Sequence, residues 1–252
     1  MHPDWLIPDW PARHVGAVMT TRRGGFSQPP YDSMNLREGI GDDEQAVYSN
    51  QRLLAETIGA TPVYLNQVHG AQVVRLTPMD LLPGAPVHEA DASVTTERGV
   101  ACAVQVADCL PVLFAAPGAV GAAHAGWRGL AGGVVEATLK AVCDAAGCQP
   151  ARVHTWLGAC IGPAQFEVGA DVLEAFKAHP AVSTPRFKPH APGKWMADLA
   201  GLASDRLSAL GVASIGGGRW CTASDASRFF SFRRDRVTGR MAAIVWLAAS
   251  VR

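Results

Sequence analysis

Three residues of the kind that bind zinc stand where predicted strands give way to turns. Cys109 lies in Ala107-Asp108-Cys109-Leu110-Pro111, His124 precedes an Ala-Gly-Trp-Arg-Gly run, and His69 ends an Asn-Gln-Val-His motif. A catalytic zinc ion takes imidazole and thiolate ligands and keeps a fourth position open for water or substrate. One such residue alone is more often a packed side chain than a ligand. The three together predict a metal site.

Charged and glycine-rich neighbours surround these candidates. Asp108 lies among apolar residues and needs a partner: it either orients a ligating histidine or belongs to a structural ion pair. The Gly126–Gly129 turn runs into a helix predicted to begin at Leu130, and free N–H groups at a helix start favour an anion. Arg128 either adds a guanidinium for phosphate or carboxylate there, or is a solvated side chain in a tight turn.

Two further turns contain weaker candidates. Cys160 follows a predicted strand in a Gly-Ala-Cys-Ile-Gly-Pro turn, where it is either a ligand or nucleophile or, more commonly, a small buried residue that shapes a pocket. Arg22 and Arg23 precede a Gly-Gly pair, and they either reach an anionic group or form a solvated pair. Gly-Gly pairs of this kind are weak signals.

The elements that would position these residues alternate along the chain. Periodicity and turn residues predict strands at 15–21, 63–65, 73–76, 92–96, 101–106, 112–115, 120–123, 153–157, 229–232 and 241–247. Helices are predicted from Asp42 and Asp43 to Gly59, from Leu130 through Val142, and over 172–178 and 197–210. The order lacks a regular βαβ repeat, so we expect an α/β fold with mixed sheets and flanking helices rather than a doubly wound sheet.

Composition excludes several classes of protein. The chain has 252 residues, 48% of them hydrophobic, and we expect one domain over residues 1–252. Equal numbers of basic and acidic residues, 22 each, offer no bulk charge for nucleic acid. The least charged stretch, 110–126, is broken by prolines and glycines, which argues against a membrane span. Six cysteines without a visible signal peptide suggest reduced thiols in the cytoplasm.

Taken in order, these segments resemble the laccase-domain family, also called the multicopper polyphenol oxidoreductase family, whose bacterial members include the peptidoglycan editing factor. The specific matches are Ala107-Asp108-Cys109 with the residues after it and His124-Ala125-Gly126-Trp127. Supporting matches lie at 20–27, 35–36, 41–43, 66–70, 90–92, 157–163, 230–234 and 238–240. The family often has Thr at the place of Val106 and Tyr at the place of Phe232, so a hydroxyl is missing at two positions.

The resemblance implies a single domain of cysteine-hydrolase-like layered α/β architecture, with zinc held by His69, Cys109 and His124. It also implies purine nucleoside phosphorylase activity on inosine, adenosine, guanosine and methylthioadenosine, together with adenosine deamination. Our leading hypothesis is therefore a zinc enzyme in which phosphate contacts Arg128 and Arg23, while Asn35 and Gln67 contact the nucleoside. We expect no nucleic-acid or membrane partner, and a monomer.

Three alternatives remain open. A metal-free thiol hydrolase or amidase would use Cys109 as nucleophile with His124 or His69 as base, and peptidoglycan editing would suit that class. A copper-dependent polyphenol oxidase is the older family label, and copper is the less favoured metal because a multicopper site needs many histidines. A non-enzymatic interaction module is disfavoured, because the candidate residues would form a cluster of buried polar groups.

Overall fold

Strands form most of the framework in the computed structural model, which describes residues 1–177 and 184–248. In chain order, β1 to β13 are Val15–Met19, Thr61–Val63, Val73–Arg75, Ala92–Thr95, Val100–Val106, Leu110–Ala116, Ala119–Ala125, His154–Leu157, Glu167–Val168, Phe187–Ala191, Lys194–Ala197, Ser214–Gly217 and Met241–Leu247. The helices α1 to α6 are Glu44–Ile58, Trp127–Ala131, Val134–Ala146, Ala170–Lys177, Leu199–Ala209 and Phe232–Asp235.

The strands form two large sheets and one small sheet. One large sheet has the order β1-β13-β5-β2, the other β12-β8-β6-β7-β4-β3, and β10-β11-β9 form the small sheet. Both large sheets are mixed, since β2 pairs with β5 and β3 with β4 in parallel while β6 and β7 form an antiparallel hairpin. This confirms the predicted α/β class with mixed sheets.

The two large sheets pack face to face, and helices cover their outer faces. Residues of both sheets, such as Val104 and Leu113, share one apolar cluster between them. A second cluster lies between the six-stranded sheet and α3 and α5, and a third lies between the four-stranded sheet and α1. Strands β5, β6, β7 and β13 are buried along their whole length because both faces are covered.

Local capping sets the ends of α1 as the sequence predicts. Asp43 accepts a hydrogen bond from the Ala46 backbone N–H at the start, and Gly59 ends the helix in the left-handed conformation with φ 64°. The prediction of one continuous helix from Leu130 is wrong, because this segment forms two helices. Helix α2 begins earlier, at Trp127, and Gly133 with φ 92° separates it from α3.

Other boundary predictions also need correction. The strand predicted over 229–232 is wrong: Phe229 and Phe230 are buried in irregular backbone, and Ser231 caps the short helix α6. Strands β9 to β12 were not predicted, because they are short or lie at a sheet edge. The last residue of the helix predicted over 172–178 lies outside the described residues. Within the described ranges, every helix is too short or too polar to cross a membrane.

Candidate metal centre and its cavity

The two hairpin strands β6 and β7 carry the site at one end. Leu110 pairs with Ala125 and Pro111 with His124, so Cys109, just before β6, lies beside the end of β7. His69 comes from the loop before β3. The ligand atoms of His69, Cys109 and His124 all lie within 4.8 Å of one another, and His69 Nε2 is 3.8 Å from Cys109 Sγ. The structure therefore brings together the three residues that the sequence proposed as a group.

Gly126 allows this close approach. A Cβ atom at this position would lie 3.0 Å from Cys109 Sγ and 3.0 Å from His69 Cδ2. To admit a Cβ, the thiol and the imidazole would have to move by a few tenths of an ångström. Packing at the candidate metal centre thus favours glycine in the motif after His124, where it also starts α2.

Asp91 holds two of the three candidate ligands in place. This fully buried carboxylate accepts a hydrogen bond from His124 Nδ1 at 2.7 Å. It also accepts from the backbone N–H groups of Val68, His69 and Gly70 at 3.1, 2.9 and 2.6 Å. His69 has φ 62°, a left-handed conformation that costs a non-glycine residue energy and that these bonds support. Because His124 donates from Nδ1, its Nε2 is the nitrogen left for a metal.

Asp108 has a different role from the two proposed for it. Its carboxylate accepts from Thr222 Oγ1 and from the Arg233 backbone N–H, each at 2.6 Å. Among the described residues it orients no histidine and forms no ion pair, so both sequence-based alternatives are wrong. It ties the start of α6 to the Cys109 loop, and its own φ of 100° shows how sharply that loop turns. The histidine-orienting carboxylate is Asp91, which the sequence showed only as a supporting motif.

Charges in the metal-free site favour a thiolate beside an imidazolium. Burial raises the pKa of Cys109, but the charge and hydrogen bonds of His124 and His69 outweigh it and lower that pKa to about 6. Burial lowers the pKa of His124, but Cys109 and Asp91 outweigh it and raise that pKa to about 9. Burial also raises the pKa of Asp91, yet its hydrogen bonds to His124 and the backbone keep the pKa below its usual value.

The donor set fits a divalent soft or borderline metal. Two imidazoles and a thiol that ionises readily converge, a buried carboxylate fixes one tautomer, and a cavity opens beside them. Three protein ligands with an open side are the arrangement of catalytic zinc sites. A candidate metal-binding group is therefore present among the described residues.

The cavity beside this group has a volume of about 400 Å³. Its polar walls include Gln67, Gln105, Arg37 and Arg240, and its apolar walls are Ile40, Val106, Ala107 and Phe232. Both positions where the chain departs from the expected family pattern, Val106 and Phe232, thus face the cavity. Arg37, Gln105 and Arg240 were not predicted, because they come from loops and strands far apart in the sequence.

A family model described as multi-copper polyphenol oxidoreductase laccase matches residues 16–248. The chain belongs to this laccase family. A Pseudomonas aeruginosa relative named purine nucleoside phosphorylase PA4543 is 49% identical over 247 residues, which cover 96% of this chain and 98% of the relative. The Escherichia coli relative named purine nucleoside phosphorylase YfiH is 45% identical over 249 residues, which cover 96% of this chain and 98% of the relative.

Solved structures of similar chains have the same fold. The crystal structure of Neisseria meningitidis protein NMB0706 matches with a TM-score of 0.91 at 42% identity, covering 98% of this chain and 100% of that chain. YlmD from Geobacillus stearothermophilus matches with a TM-score of 0.91 at 33% identity, covering 99% and 98%. The resemblance found in the sequence motifs is confirmed over nearly the whole chain.

Gln67 and Asn35, the two residues predicted to contact the nucleoside, differ in their surroundings within this laccase-family fold. Gln67 lines the cavity, where its Nε2 donates to the Gln105 carbonyl at 2.9 Å and its Oε1 accepts from the Gln105 N–H at 2.7 Å. Asn35 is fully buried, and its amide bonds to the backbone of Arg37, to the Arg240 N–H and to Asp42. A direct contact between Asn35 and substrate stays a prediction, while its packing role is visible.

The predicted phosphate contacts lie outside the walls of this cavity. Arg128 is exposed on α2, with its guanidinium 4.2 Å from the Trp127 ring centroid. Arg23 donates to the Ser227 carbonyl at 2.8 Å and lies 3.5 Å from Asp4, beside a separate cavity. Cys160 is buried, and burial raises the pKa of its thiol, as suits a small packed residue.

Proposed function

We propose that this protein is a zinc-dependent purine nucleoside phosphorylase that also deaminates adenosine. The observation that carries the proposal is the His69, Cys109 and His124 group facing a cationic cavity of about 400 Å³, a size that suits a small molecule. The names of the bacterial relatives support the phosphorylase activity. The inferred substrates are inosine, adenosine, guanosine and methylthioadenosine.

Phosphorolysis transfers the ribosyl group from a purine to phosphate. A phosphate oxygen forms a bond to C1′ while the bond from C1′ to N9 breaks, and N9 keeps the electron pair and takes a proton. The products are ribose 1-phosphate and the free base. The chain must therefore hold an anion beside the sugar and protect the reacting bond from water. The guanidinium groups in the cavity wall suit the first of these tasks.

The polar walls leave specific atoms for the nucleoside. A primary amide has two N–H donors and two lone pairs, and Gln67 uses one of each on the Gln105 backbone. The remaining N–H and lone pair can bond to a ribose hydroxyl or a purine edge. Val106 and Phe232 offer apolar contact where hydroxyl groups are expected in relatives, which favours purine stacking over further hydrogen bonds.

A bound zinc ion would supply a Lewis acid and lower the pKa of a water molecule toward neutrality. Deamination needs such a water, since the amino group on C6 of adenosine is replaced by oxygen and leaves as ammonia. Asp91 keeps His124 in the tautomer that presents Nε2 to the site. The same three ligands would therefore serve both reactions.

A metal-free thiol hydrolase is the second candidate, because Cys109, His124 and Asp91 also form a nucleophile, base and orienting carboxylate in series. Its thiolate would attack a carbonyl carbon of an amide. A multicopper oxidase has less support, since the described residues contain one group of three candidate ligands.

The deciding experiment incubates zinc-loaded protein with inosine, adenosine, guanosine or methylthioadenosine, with and without phosphate, and identifies products by chromatography. We expect the free base and a sugar 1-phosphate only with phosphate: ribose 1-phosphate from the three unmodified nucleosides and 5-methylthioribose 1-phosphate from methylthioadenosine. Without phosphate, we expect inosine plus ammonia from adenosine. A protein that contains no metal as purified and leaves all four nucleosides intact would favour the thiol hydrolase instead. Cytoplasmic location and the monomeric state stay predictions.

A further inference from the structure

Two arginines line the same cavity as the candidate metal centre. Arg37 and Arg240 are both half-buried, and the walls of this cavity include no Asp or Glu. Most other arginines that are buried or partly buried in the described chain have a carboxylate within ion-pair distance. These pairs are Arg22–Asp32, Arg186–Asp205, Arg206–Glu136 and Arg234–Asp235. Among the described residues, Arg37 and Arg240 have no such carboxylate partner.

The two guanidiniums keep donors for a ligand. Arg240 Nη1 donates to the carbonyls of Thr238 and Gly239 at 2.8 and 3.1 Å, which fixes one edge of its guanidinium and leaves Nε and Nη2. Arg37 donates no side-chain hydrogen bond to any described residue. Arg37 and Arg240 line one cavity, where burial lowers the pKa of Arg240 and the like charge of Arg37 lowers it further. An anion bound by both guanidiniums would offset that repulsion.

Asn35 fixes the backbone positions of the two arginines relative to each other. Its Oδ1 accepts from the Arg37 N–H at 3.1 Å and from the Arg240 N–H at 2.9 Å, although the two arginines are far apart in the chain. The Leu36 N–H donates to the Arg240 carbonyl at 3.1 Å. At Gly239 a Cβ would meet Asn35 Cβ at 2.9 Å, so only glycine permits this approach. The backbone positions of the two arginines are therefore fixed relative to each other, and the Arg240 guanidinium is held on one edge, which reduces the entropy cost of binding.

We propose that Arg37 and Arg240 form the subsite for a phosphate-type oxyanion, beside His69, Cys109 and His124 in one cavity. The proposal rests on the proposed phosphorolysis for the identity of the anion as inorganic phosphate. The N–H donors of one guanidinium can bind two phosphate oxygens at once, and two guanidinium groups balance a phosphate charge of about −1 to −2. The same chemistry would also hold the phosphate group of a nucleoside monophosphate. Arg128 and Arg23 lie outside this cavity.

The test uses zinc-loaded Arg37→Gln, Arg240→Gln and Arg37→Lys variants, with Arg52→Gln on the exposed face of α1 as matched control. Calorimetry measures binding of inorganic phosphate and of inosine monophosphate without turnover. Each Gln variant should bind inorganic phosphate about ten- to a hundredfold more weakly, as expected for loss of a charge-assisted hydrogen bond. Arg37→Lys should lie between wild type and Gln, because it keeps the charge and loses the fork.

Kinetics separates this subsite from the proposed function. In the Gln variants the KM for phosphate in inosine phosphorolysis should rise by the same factor, and by more than the KM for inosine, while the exposed Arg52→Gln control keeps both KM values at wild type. If wild type binds phosphate at the arginines but cleaves no nucleoside, the subsite stands and the phosphorylase proposal fails. Tighter binding of inosine monophosphate than of inorganic phosphate would assign the subsite to a nucleotide. Correctly folded, zinc-replete Gln variants that bind both anions as wild type does would overturn the proposal.

Discussion

Asp91→Asn is expected to weaken both zinc binding and folding, because one carboxylate serves four donors. Oδ1 accepts from His124 Nδ1 and the His69 N–H, and Oδ2 accepts from the N–H groups of Val68 and Gly70. Asparagine keeps the shape but has one oxygen. Whichever way the amide faces, its NH2 group opposes two N–H donors that have then lost their acceptor.

The magnitude follows from burial. Breaking a buried charged pair by changing one partner costs about 3–5 kcal/mol of stability. Most domains have a free energy of unfolding of roughly 5–15 kcal/mol, so the variant should still fold, with a lower urea midpoint. Loss of the carboxylate that orients a ligating histidine typically lowers metal affinity about 10–100-fold. Zinc affinity is measured by competition with a chromogenic chelator, and stability by urea unfolding of the metal-free protein.

Asp80→Asn is the matched control, since Asp80 also accepts from a histidine, His88 Nε2 at 2.6 Å, and lies outside the metal group. It should leave zinc affinity unchanged. An Asp91→Asn protein with the zinc affinity and urea midpoint of wild type would refute the positioning role of this carboxylate.

Further predictions concern the ligands, the thiols, phosphate and pH. Elemental analysis should find about one zinc per chain in wild type and far less in Cys109→Ala; equal zinc would remove Cys109 as a ligand. Ala or Ser variants of Cys143, Cys148 and Cys221 should keep most activity, and an inactive, folded Cys221→Ser would show that the site is misplaced. Arg128→Lys separates the sequence-based phosphate assignment from the Arg37 and Arg240 subsite: because Arg128 is exposed outside the cavity, the KM for phosphate in inosine phosphorolysis should stay near wild type, and a rise of about ten- to a hundredfold would support the sequence-based assignment instead. The pKa of His124 is raised to about 9, so below that pH zinc must displace a proton from this histidine. Zinc affinity should therefore rise by about tenfold per pH unit from 7 to 9. Chelator competition that shows no pH dependence would disprove this.

Residue type and local context were enough to predict the candidate ligands, since each stands beside a glycine or proline at a predicted strand end. The strand interiors were also predictable, because β5, β6, β7 and β13 are continuous apolar runs. The break between α2 and α3 was missed, because the apolar stripe continues past Gly133 while its backbone leaves the helical region. Periodicity reports which face is apolar, and does not report a local change of backbone direction.

The partners of the site residues could not be predicted, because they depend on pairings across the fold. Arg37 and Arg240 become neighbours only through the β1-β13-β5 sheet and the Asn35 side chain. Arg37 has no local motif, and the supporting match that contains Arg240 does not indicate its role. Asp108 was the conspicuous acid in the sequence, since it precedes Cys109. In the structure His124 donates its hydrogen bond to Asp91 instead, because β4 pairs with β7 and places Ala92 opposite Ala123.

Two buried side chains, Asp91 and Asn35, thus organise the two halves of the cavity. Each one accepts hydrogen bonds from chain segments that are distant in sequence, and each lies behind the groups that face the ligand. A polar side chain that is buried without its partners is costly, so these residues tie folding stability to site geometry. Changing Asp91 should therefore impair the metal half, and changing Asn35 the arginine half. The separate readouts, zinc affinity and phosphate affinity, make that division measurable in one protein.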